Sequence, residues 1–177
     1  MITLTKLNSA LSVVQGELID LGFYDHKLAK IDIYLVVVGI AYGWQYYGSS
    51  GEICIPAVSI SKLSELIWSP YTTLNDILIH EYAHAFAHTH KGLIKSKKFS
   101  EAFWAKHDAD FAWEYETDLF VSEYAATKPS EDFAETFMFY VKNQGNRPKR
   151  FNSDALKTKW KFLDDLRKAT KKGLGRF

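Results

Sequence analysis

The chain contains few of the residues that cross-link or interrupt a fold: its 177 residues include one cysteine, four prolines and two methionines. Because Cys54 has no second cysteine to pair with, no intrachain disulfide can form, and the composition fits a reducing compartment. Cys54 lies in an apolar run, so we interpret it as a small buried residue and not as a nucleophile.

Long hydrophobic runs and an excess of one charge are also missing. The longest apolar run, residues 33–40, is too short to cross a bilayer, and no basic flank with an apolar stretch marks a secretory signal. With 22 basic and 21 acidic residues the net charge is +1, which gives no electrostatic case for nucleic acid or an anionic membrane as a partner. We therefore expect a cytoplasmic protein, while a leaderless secreted protein would show the same features.

The pattern of apolar residues predicts an α+β protein. Helical spacing appears in five segments, at residues 5–22, 74–90, 96–111, 129–142 and 154–169. Strand-like segments lie at 31–38, 40–47 and 52–60, and the glycines of 48–51 make a turn between the last two. Since Pro56 cannot donate to a strand ladder, 52–60 is predicted as an edge strand that could pair with an extended substrate.

Two of the predicted helices carry clear boundary and core signals. Thr72 or Thr73 can cap the helix that begins near residue 74, and Gly92 is its predicted end. Ser130 is a possible cap of the helix near 129. In the last helix one apolar face is expected in the core, consisting of Leu156, Trp160, Leu163 and Leu166.

The run His80-Glu81-Tyr82-Ala83-His84 is an HExxH motif in the middle of a predicted helix. Residues four apart share one helical face, so His80 and His84 can both direct a ring nitrogen at one Zn²⁺. Glu81 can then act as the general base toward a metal-bound water. The motif predicts a zinc hydrolase, most simply a peptidase, whereas the plain alternative is a helix with two structural histidines.

A catalytic zinc site needs a third protein ligand, and several residues are candidates. His90 falls at the last position of HExxHxxGxxH, but Ala87 stands where that pattern has the glycine of a sharp turn. His88 lies about 12 Å along the helix from His80, which makes it a surface or supporting residue. The remaining candidates are His107, Asp108, Asp110 and a glutamate farther along the chain, Glu131.

The segment from Phe120 to Phe137 resembles the second zinc-site block of gluzincin peptidases. In the anthrax lethal-factor catalytic domain and the Pro-Pro endopeptidases a tyrosine precedes the ligand glutamate by seven residues, as Tyr124 precedes Glu131 here. The resemblance implies Glu131 as the third ligand and Tyr124 as a donor to the oxyanion. The residues also fit by themselves, because Glu135 lies one turn after Glu131 and can orient a ligand histidine.

The chain also resembles a family of bacterial zinc-binding metallopeptidases whose members carry HExxH and a V-S-x-Y-A-x-x-x-P-x-E-D-F-A-E-T block. Residues 121–136 match that block almost letter for letter, and 42–44 and 51–56 are similar with less specificity. One departure is Ser130, where several of these proteins have tryptophan. For Asp132 we consider a cap, a partner of a histidine, or a surface acid.

These patterns together imply one zincin-like domain over residues 1–177. We expect a small antiparallel or mixed sheet with an edge strand over the active-site helix in 1–92, and a helical part with the third ligand in 93–177. The predicted function is a zinc metalloendopeptidase with one Zn²⁺ per chain and a protein or peptide substrate. The alternatives are a catalytically silent or latent zinc-binding module, with the final helix and the Lys-rich tail covering the cleft, and a regulatory peptidase of narrow specificity.

Overall fold

The computed structural model describes residues 1–37, 42–48, 50–67 and 73–172. Within these ranges the protein is α+β, with seven α-helices and one three-stranded mixed sheet. The strands are β1 (Asp32–Val36), β2 (Gly43–Tyr47) and β3 (Ser50–Pro56). The helices are α1 (Leu4–Leu21), α2 (Ile60–Ile67), α3 (Leu74–Thr89), α4 (Lys91–Ile94), α5 (Lys97–Phe103), α6 (Pro129–Lys142) and α7 (Asp154–Lys171).

The sheet has the order β1-β3-β2, with β1 parallel and β2 antiparallel to β3. The prediction that 52–60 forms an edge strand is therefore wrong, because β3 is central and both of its sides are paired. Pro56 is tolerated there since it is the last residue of β3, and the next residue, Ala57, donates its N–H to the carbonyl of Val36. A substrate cannot pair with β3. The edge strand that contacts α3 is β2.

Local signals fixed several helix ends correctly. Gly22 ends α1 in the left-handed conformation, at φ 80°. Thr73 caps α3 through a reciprocal pair of side-chain bonds with Asp76, whereas Thr72 lies outside the described residues. Other boundaries were wrong. Helix α3 ends at Thr89 and Gly92 belongs to the next short helix, α4.

The helices of the second half differ more from their predicted lengths. Helix α5 stops at Phe103 because Trp104 turns into the left-handed region, at φ 55°, so the predicted helix 96–111 is too long. Helix α6 begins with Pro129 in its first turn and is preceded by Lys128, so Ser130 is not its cap. The predicted strand 40–47 is described only from residue 42 onward.

The core lies where α1 and α6 pack on α3 and where α7 packs on α5 and α6. Its centre is rich in aromatic rings, including the buried Phe23, Phe86 and Phe137. The predicted core face of α7 is confirmed, since Leu156, Trp160, Leu163 and Leu166 are all buried. No helix among the described residues combines the length and apolar character that crossing a membrane requires.

Candidate metal centre

Helix α3 places the two histidines of the HExxH motif side by side. Because they are four residues apart on a regular helix, their rings face the same direction, and the two Nε2 atoms are 3.0 Å apart. The reciprocal cap at Thr73 starts this helix about two turns before His80. His80 is buried, while His84 is partly exposed at the mouth of a cleft.

Helix α6 packs on α3 and brings a carboxylate to the same point. Glu131, in the first turn of α6, has its Oε2 atom 3.2 Å from Nε2 of His80 and 3.3 Å from Nε2 of His84. His80, His84 and Glu131 thus form a cluster in which each residue offers one ligand atom. Only two of the three donors, His80 and His84, are close together in the sequence. Glu131 follows His84 by 47 positions and is brought to them by tertiary packing.

The chemistry of these donors fits a metal ion. At metal–ligand distances of about 2.0–2.2 Å, tetrahedral ligand atoms lie roughly 3.3–3.6 Å apart, close to the separations seen here. His80 contacts a carboxylate through Nδ1, so in its neutral form the proton belongs on Nδ1 and Nε2 carries a lone pair. Oε2 of Glu131 is buried, and no donor among the described residues meets it with hydrogen-bond geometry. Three electron-pair donors that converge without a proton between them are suited to a cation.

The electrostatics of the cluster point in the same direction. Burial by itself would lower the pKa of His80, but the carboxylates of Glu131 and Glu135 beside its ring raise the pKa well above its usual value. Burial would raise the pKa of Glu131, but the charge of His84 and the close contacts with the rings of His80 and His84 hold it far below its usual value. Both shifts show that this buried point stabilises a positive charge.

A second layer of contacts holds His80 in place. Glu135, one turn after Glu131 and fully buried, accepts from Nδ1 of His80 at 2.9 Å through Oε1. Its Oε2 accepts from the hydroxyl of Ser122 at 2.7 Å, and that hydroxyl in turn accepts the N–H of Ala125 at 3.1 Å. This chain of bonds matches the predicted supporting position of Glu135. Ser122 was not predicted, although it stands in the 121–136 block.

Two further polar groups share the cleft with the cluster. A cavity of about 280 Å³ is lined by the three donors together with Glu81, Tyr124, Ser130 and residues 42–44. Glu81 is buried and directs its Oε2 to the backbone N–H of Trp44, which donates to it at 2.6 Å. Tyr124 lies in the short 3-10 turn before α6, with its ring 5.9 Å from that of His80. Burial and the carboxylates of Glu131 and Glu81 raise the pKa of Tyr124, so it keeps its proton as a donor.

The other candidate ligands lie outside the cluster. His90 ends α3 and is held elsewhere, with Nε2 3.1 Å from Asp25 and its ring stacked on Phe86. His88 faces Trp44 and Tyr46 of β2.

The loop candidates lie apart from the three donors as well. His107 contacts Phe99 and Phe133, and burial beside His84 lowers the pKa of its ring to about 4. Asp108 and Asp110 form ion pairs with Lys95 and Lys128.

A second, larger cleft of about 570 Å³ adjoins the first and shares Trp44, His84 and Ser130 with it. Its remaining lining residues lie on β2, at the end of α3, on or next to α4, in the 107–110 loop and at Lys128. No residue of α7 lines either cleft, so this helix does not cover the site, whereas the end of the Lys-rich tail, residues 173–177, lies outside the described residues.

Comparisons with known proteins add no relative: no protein-family model, no curated protein and no solved structure matches this chain. The site geometry and the sequence motifs therefore carry the functional argument.

Proposed function

We propose that this protein is a zinc-dependent metallopeptidase with a zincin-like fold and a gluzincin set of ligands. One observation carries the proposal. Three convergent donors, His80, His84 and Glu131, share a cleft with a carboxylate outside the cluster, Glu81, and with a protonated phenol, Tyr124. A purely structural metal site would surround the ion with protein ligands, whereas this one leaves a side open to the cleft.

Each group has a role in hydrolysis of a peptide bond. A zinc ion held by His80, His84 and Glu131 would bind a water with a pKa of about 7 and polarise the scissile carbonyl. Glu81 accepts the proton of the attacking water and delivers it to the leaving amine. The hydroxyl of Tyr124 donates to the oxyanion that develops on the carbonyl oxygen. Glu135 and Ser122 keep His80 in its orientation.

The shape of the cleft favours an internal stretch of peptide as the substrate. His84 of the cluster lines both the smaller cavity and the larger cleft, so a peptide chain could continue from the cluster along β2 and α4. Trp44 and Tyr46 supply an aromatic wall there, on alternate positions of β2. An endopeptidase needs such a continuous path.

The first experiment is a zinc measurement on the full chain. Elemental analysis after gel filtration should find one zinc per chain in the wild type and strong loss in Glu131→Ala. Glu123→Ala, at an exposed glutamate nearby, is the matched control and should keep its zinc. Full zinc retention in Glu131→Ala would exclude Glu131 as a ligand, and a wild type without zinc would exclude the metallopeptidase.

The second experiment separates catalysis from metal binding. With a quenched-fluorescence peptide library, Glu81→Gln should lose roughly 10²–10⁴-fold in kcat and still hold zinc. Tyr124→Phe should lose on the order of 10²–10³-fold, mostly in kcat. A wild type that binds zinc but cleaves no peptide would support the silent zinc-binding module instead.

A further inference from the structure

The start of β2 is in direct contact with the side chain of Glu81. The backbone N–H of Trp44 donates to Oε2 of Glu81 at 2.6 Å. Because β2 is an edge strand in an antiparallel pair, alternate N–H groups along it face away from β3, and that of Trp44 meets the carboxylate. One oxygen of Glu81 is therefore held by the backbone of the sheet, while Oε1 is not engaged by that bond.

Gly43 lets the backbone approach that closely. Its φ of 77° is in the left-handed region, and a Cβ built on it would lie 3.0 Å from Oε2 and 3.1 Å from Oε1 of Glu81. A side chain here would meet both oxygens of the carboxylate and would strain the backbone as well. The glycine thus leaves room for the carboxylate of Glu81 in its observed position, in addition to allowing the turn into the strand.

The strand that carries this contact is fixed from the other side. Trp44 pairs with Ile53 of β3, and its ring lies over Gly51, where an added Cβ would be 2.0 Å from the ring. The ring also packs 5.5 Å from that of His88 on α3. The N–H of Trp44 is therefore set in place by the sheet and by α3, before any substrate binds.

We propose that Gly43 and the N–H of Trp44 are positioning elements for Glu81: they hold Oε2 so that Oε1 is presented to the proton of the attacking water. This inference rests on the proposed peptidase function. Both residues act through Glu81, since neither supplies a side chain to the reacting atoms. A misplaced base lowers turnover on the order of 10²-fold for a shift of about 1 Å.

A glycine pair in the chain gives a matched test. Gly48 has φ 66° and no atom within 4 Å of an added Cβ, so Gly48→Ala carries the backbone strain without the contact with Glu81. A Cβ at 3.0–3.1 Å would displace the carboxylate by a few tenths of an ångström, so we expect Gly43→Ala to lower kcat about three- to tenfold, with KM within about twofold and zinc content unchanged. Gly48→Ala should keep the wild-type kcat. Equal kcat values in Gly43→Ala and Gly48→Ala would overturn the positioning role, whether both match the wild type or both are lower.

A second readout does not depend on turnover. In zinc-loaded protein labelled with ¹⁵N-tryptophan, exchange of the Trp44 amide hydrogen should be at least about tenfold faster in Glu81→Ala than in wild type. The amide of Trp160 in α7 is the control for global opening. Unchanged exchange at Trp44 would overturn the contact. Faster exchange in a protein that cleaves no peptide would refute the peptidase and leave the contact standing.

The larger cleft supports an independent inference about the substrate. Three lysines line it, and two are neutralised there, Lys95 by Asp108 at 2.7 Å and Lys128 by Asp110 at 2.8 Å. For the third, Lys91 in α4, the described residues include no paired carboxylate. The cleft wall therefore presents one uncompensated cation beside the aromatic face of β2.

Resting again on the proposed function, we infer that Lys91 selects substrates with an acidic side chain a short distance from the scissile bond. Lys91 lies seven residues after His84, at the start of the next helix, and both residues line the larger cleft. An extended peptide advances about 3.3 Å per residue, so the acidic residue would lie within a few positions of the bond that is cut.

Charge reversal tests this preference. With pairs of peptides that differ only by Glu or Lys at one of these positions, scanned on either side of the scissile bond, the wild type should favour Glu at one position by about two- to fivefold in kcat/KM. Lys91→Glu should reverse the preference, and Lys97→Glu, an exposed lysine outside the cleft lining, should not. An unchanged preference in Lys91→Glu would overturn the assignment.

A binding measurement distinguishes a failure of the Lys91 assignment from a failure of the proposed peptidase function. Fluorescence anisotropy of the labelled peptides on zinc-loaded Glu81→Gln measures the same preference without turnover. Cleavage with no charge preference would refute only the role of Lys91, whereas charge-selective binding without cleavage by the wild type would refute only the peptidase.

Discussion

Two neighbouring carboxylates at the start of α6 have opposite surroundings. Asp132 is fully buried and faces the equally buried Lys159 of α7, whose Nζ is 2.9 Å from Oδ1 and 2.6 Å from Oδ2. Glu131 faces two imidazole nitrogens, and no lysine or arginine among the described residues forms an ion pair with it. Of these two adjacent carboxylates, Asp132 is thus paired with a lysine of the protein, whereas Glu131 faces only the two imidazoles.

The buried ammonium group of Lys159 is surrounded by polar and aromatic partners from the protein itself. Its Nζ also donates to the carbonyl of Leu119 at 2.6 Å and lies over the rings of Phe103, Trp104 and Phe120 at 4.5–5.6 Å. Burial raises the pKa of Asp132 to about 6 and lowers that of Lys159, while their mutual attraction opposes both shifts. None of the roles considered from the sequence for Asp132 was that of a partner to a buried lysine.

The comparison shows that a buried charge alone does not mark a functional site. In the pair of Lys159 and Asp132 each charge faces the opposite charge of another protein side chain, and the pair ties α7 to α6, so it is structural. The cluster of His80, His84 and Glu131 contains only electron-pair donors and opens onto a cleft, so it can bind a metal cation from solution. Four predictions, from the largest expected effect to the smallest, test this distinction.

The structural pair should carry the largest free-energy effect. Lys159→Met leaves the carboxylate of Asp132 buried without its partner, and we expect the free energy of unfolding to fall by about 3–5 kcal/mol in urea titrations. Lys161→Met, at an exposed lysine of the same helix, is the control and should change little. The double variant Lys159→Met/Asp132→Asn should recover part of the loss, and a loss below about 1 kcal/mol in the single variant would contradict the distinction.

Removal of the metal should lower thermal stability only through the cluster of His80, His84 and Glu131. With free zinc at about 100 times its Kd, binding stabilises the folded state by about 2.7 kcal/mol, so a chelator should lower the Tm of the wild type. The same chelator should leave the Tm of Glu131→Ala unchanged. An equal shift in both proteins would mean that the metal binds somewhere else.

Loss of the support behind His80 should weaken the metal without removing it. Glu135→Gln keeps the shape of the side chain but removes the charge that orients the ring, and we expect zinc affinity to fall about 10–100-fold in competition with a chelating dye. Glu123→Gln serves as the exposed control. An affinity equal to that of the wild type would show that Glu135 is only a core residue.

The smallest effect is expected one bond farther out. Ser122→Ala removes a single hydrogen bond to Glu135, worth about 1 kcal/mol, or roughly fivefold in zinc affinity by the same assay. Because Ser122 also accepts the N–H of Ala125, a small loss of stability should accompany it. A loss as large as that of Glu135→Gln would show that the contacts of Glu135 do not weaken stepwise with distance from the metal.

The sequence predicted the elements better than their arrangement. Helices α1, α3, α6 and α7 and the capping role of Thr73 follow from local spacing and local hydrogen bonds, so they could be found in advance. The position of β3 could not, because a proline at the end of a central strand and one in an edge strand produce the same local sequence. The length of α5 depended on a left-handed Trp104, a conformation that favours glycine and that no local signal announced.

What the sequence by itself determined is what one helical turn can determine: that His80 and His84 share a face, that Glu81 is beside them, and that Glu131 and Glu135 are one turn apart. Tertiary structure alone decided that these two faces meet, that the N–H of Trp44 reaches Glu81, and that Lys159 rather than a histidine satisfies Asp132. Residues that share a helical face are about four positions apart, so the sequence alone shows which ones they are. These contacts instead join groups 27 to 55 residues apart, and they exist only because the core packs in one way.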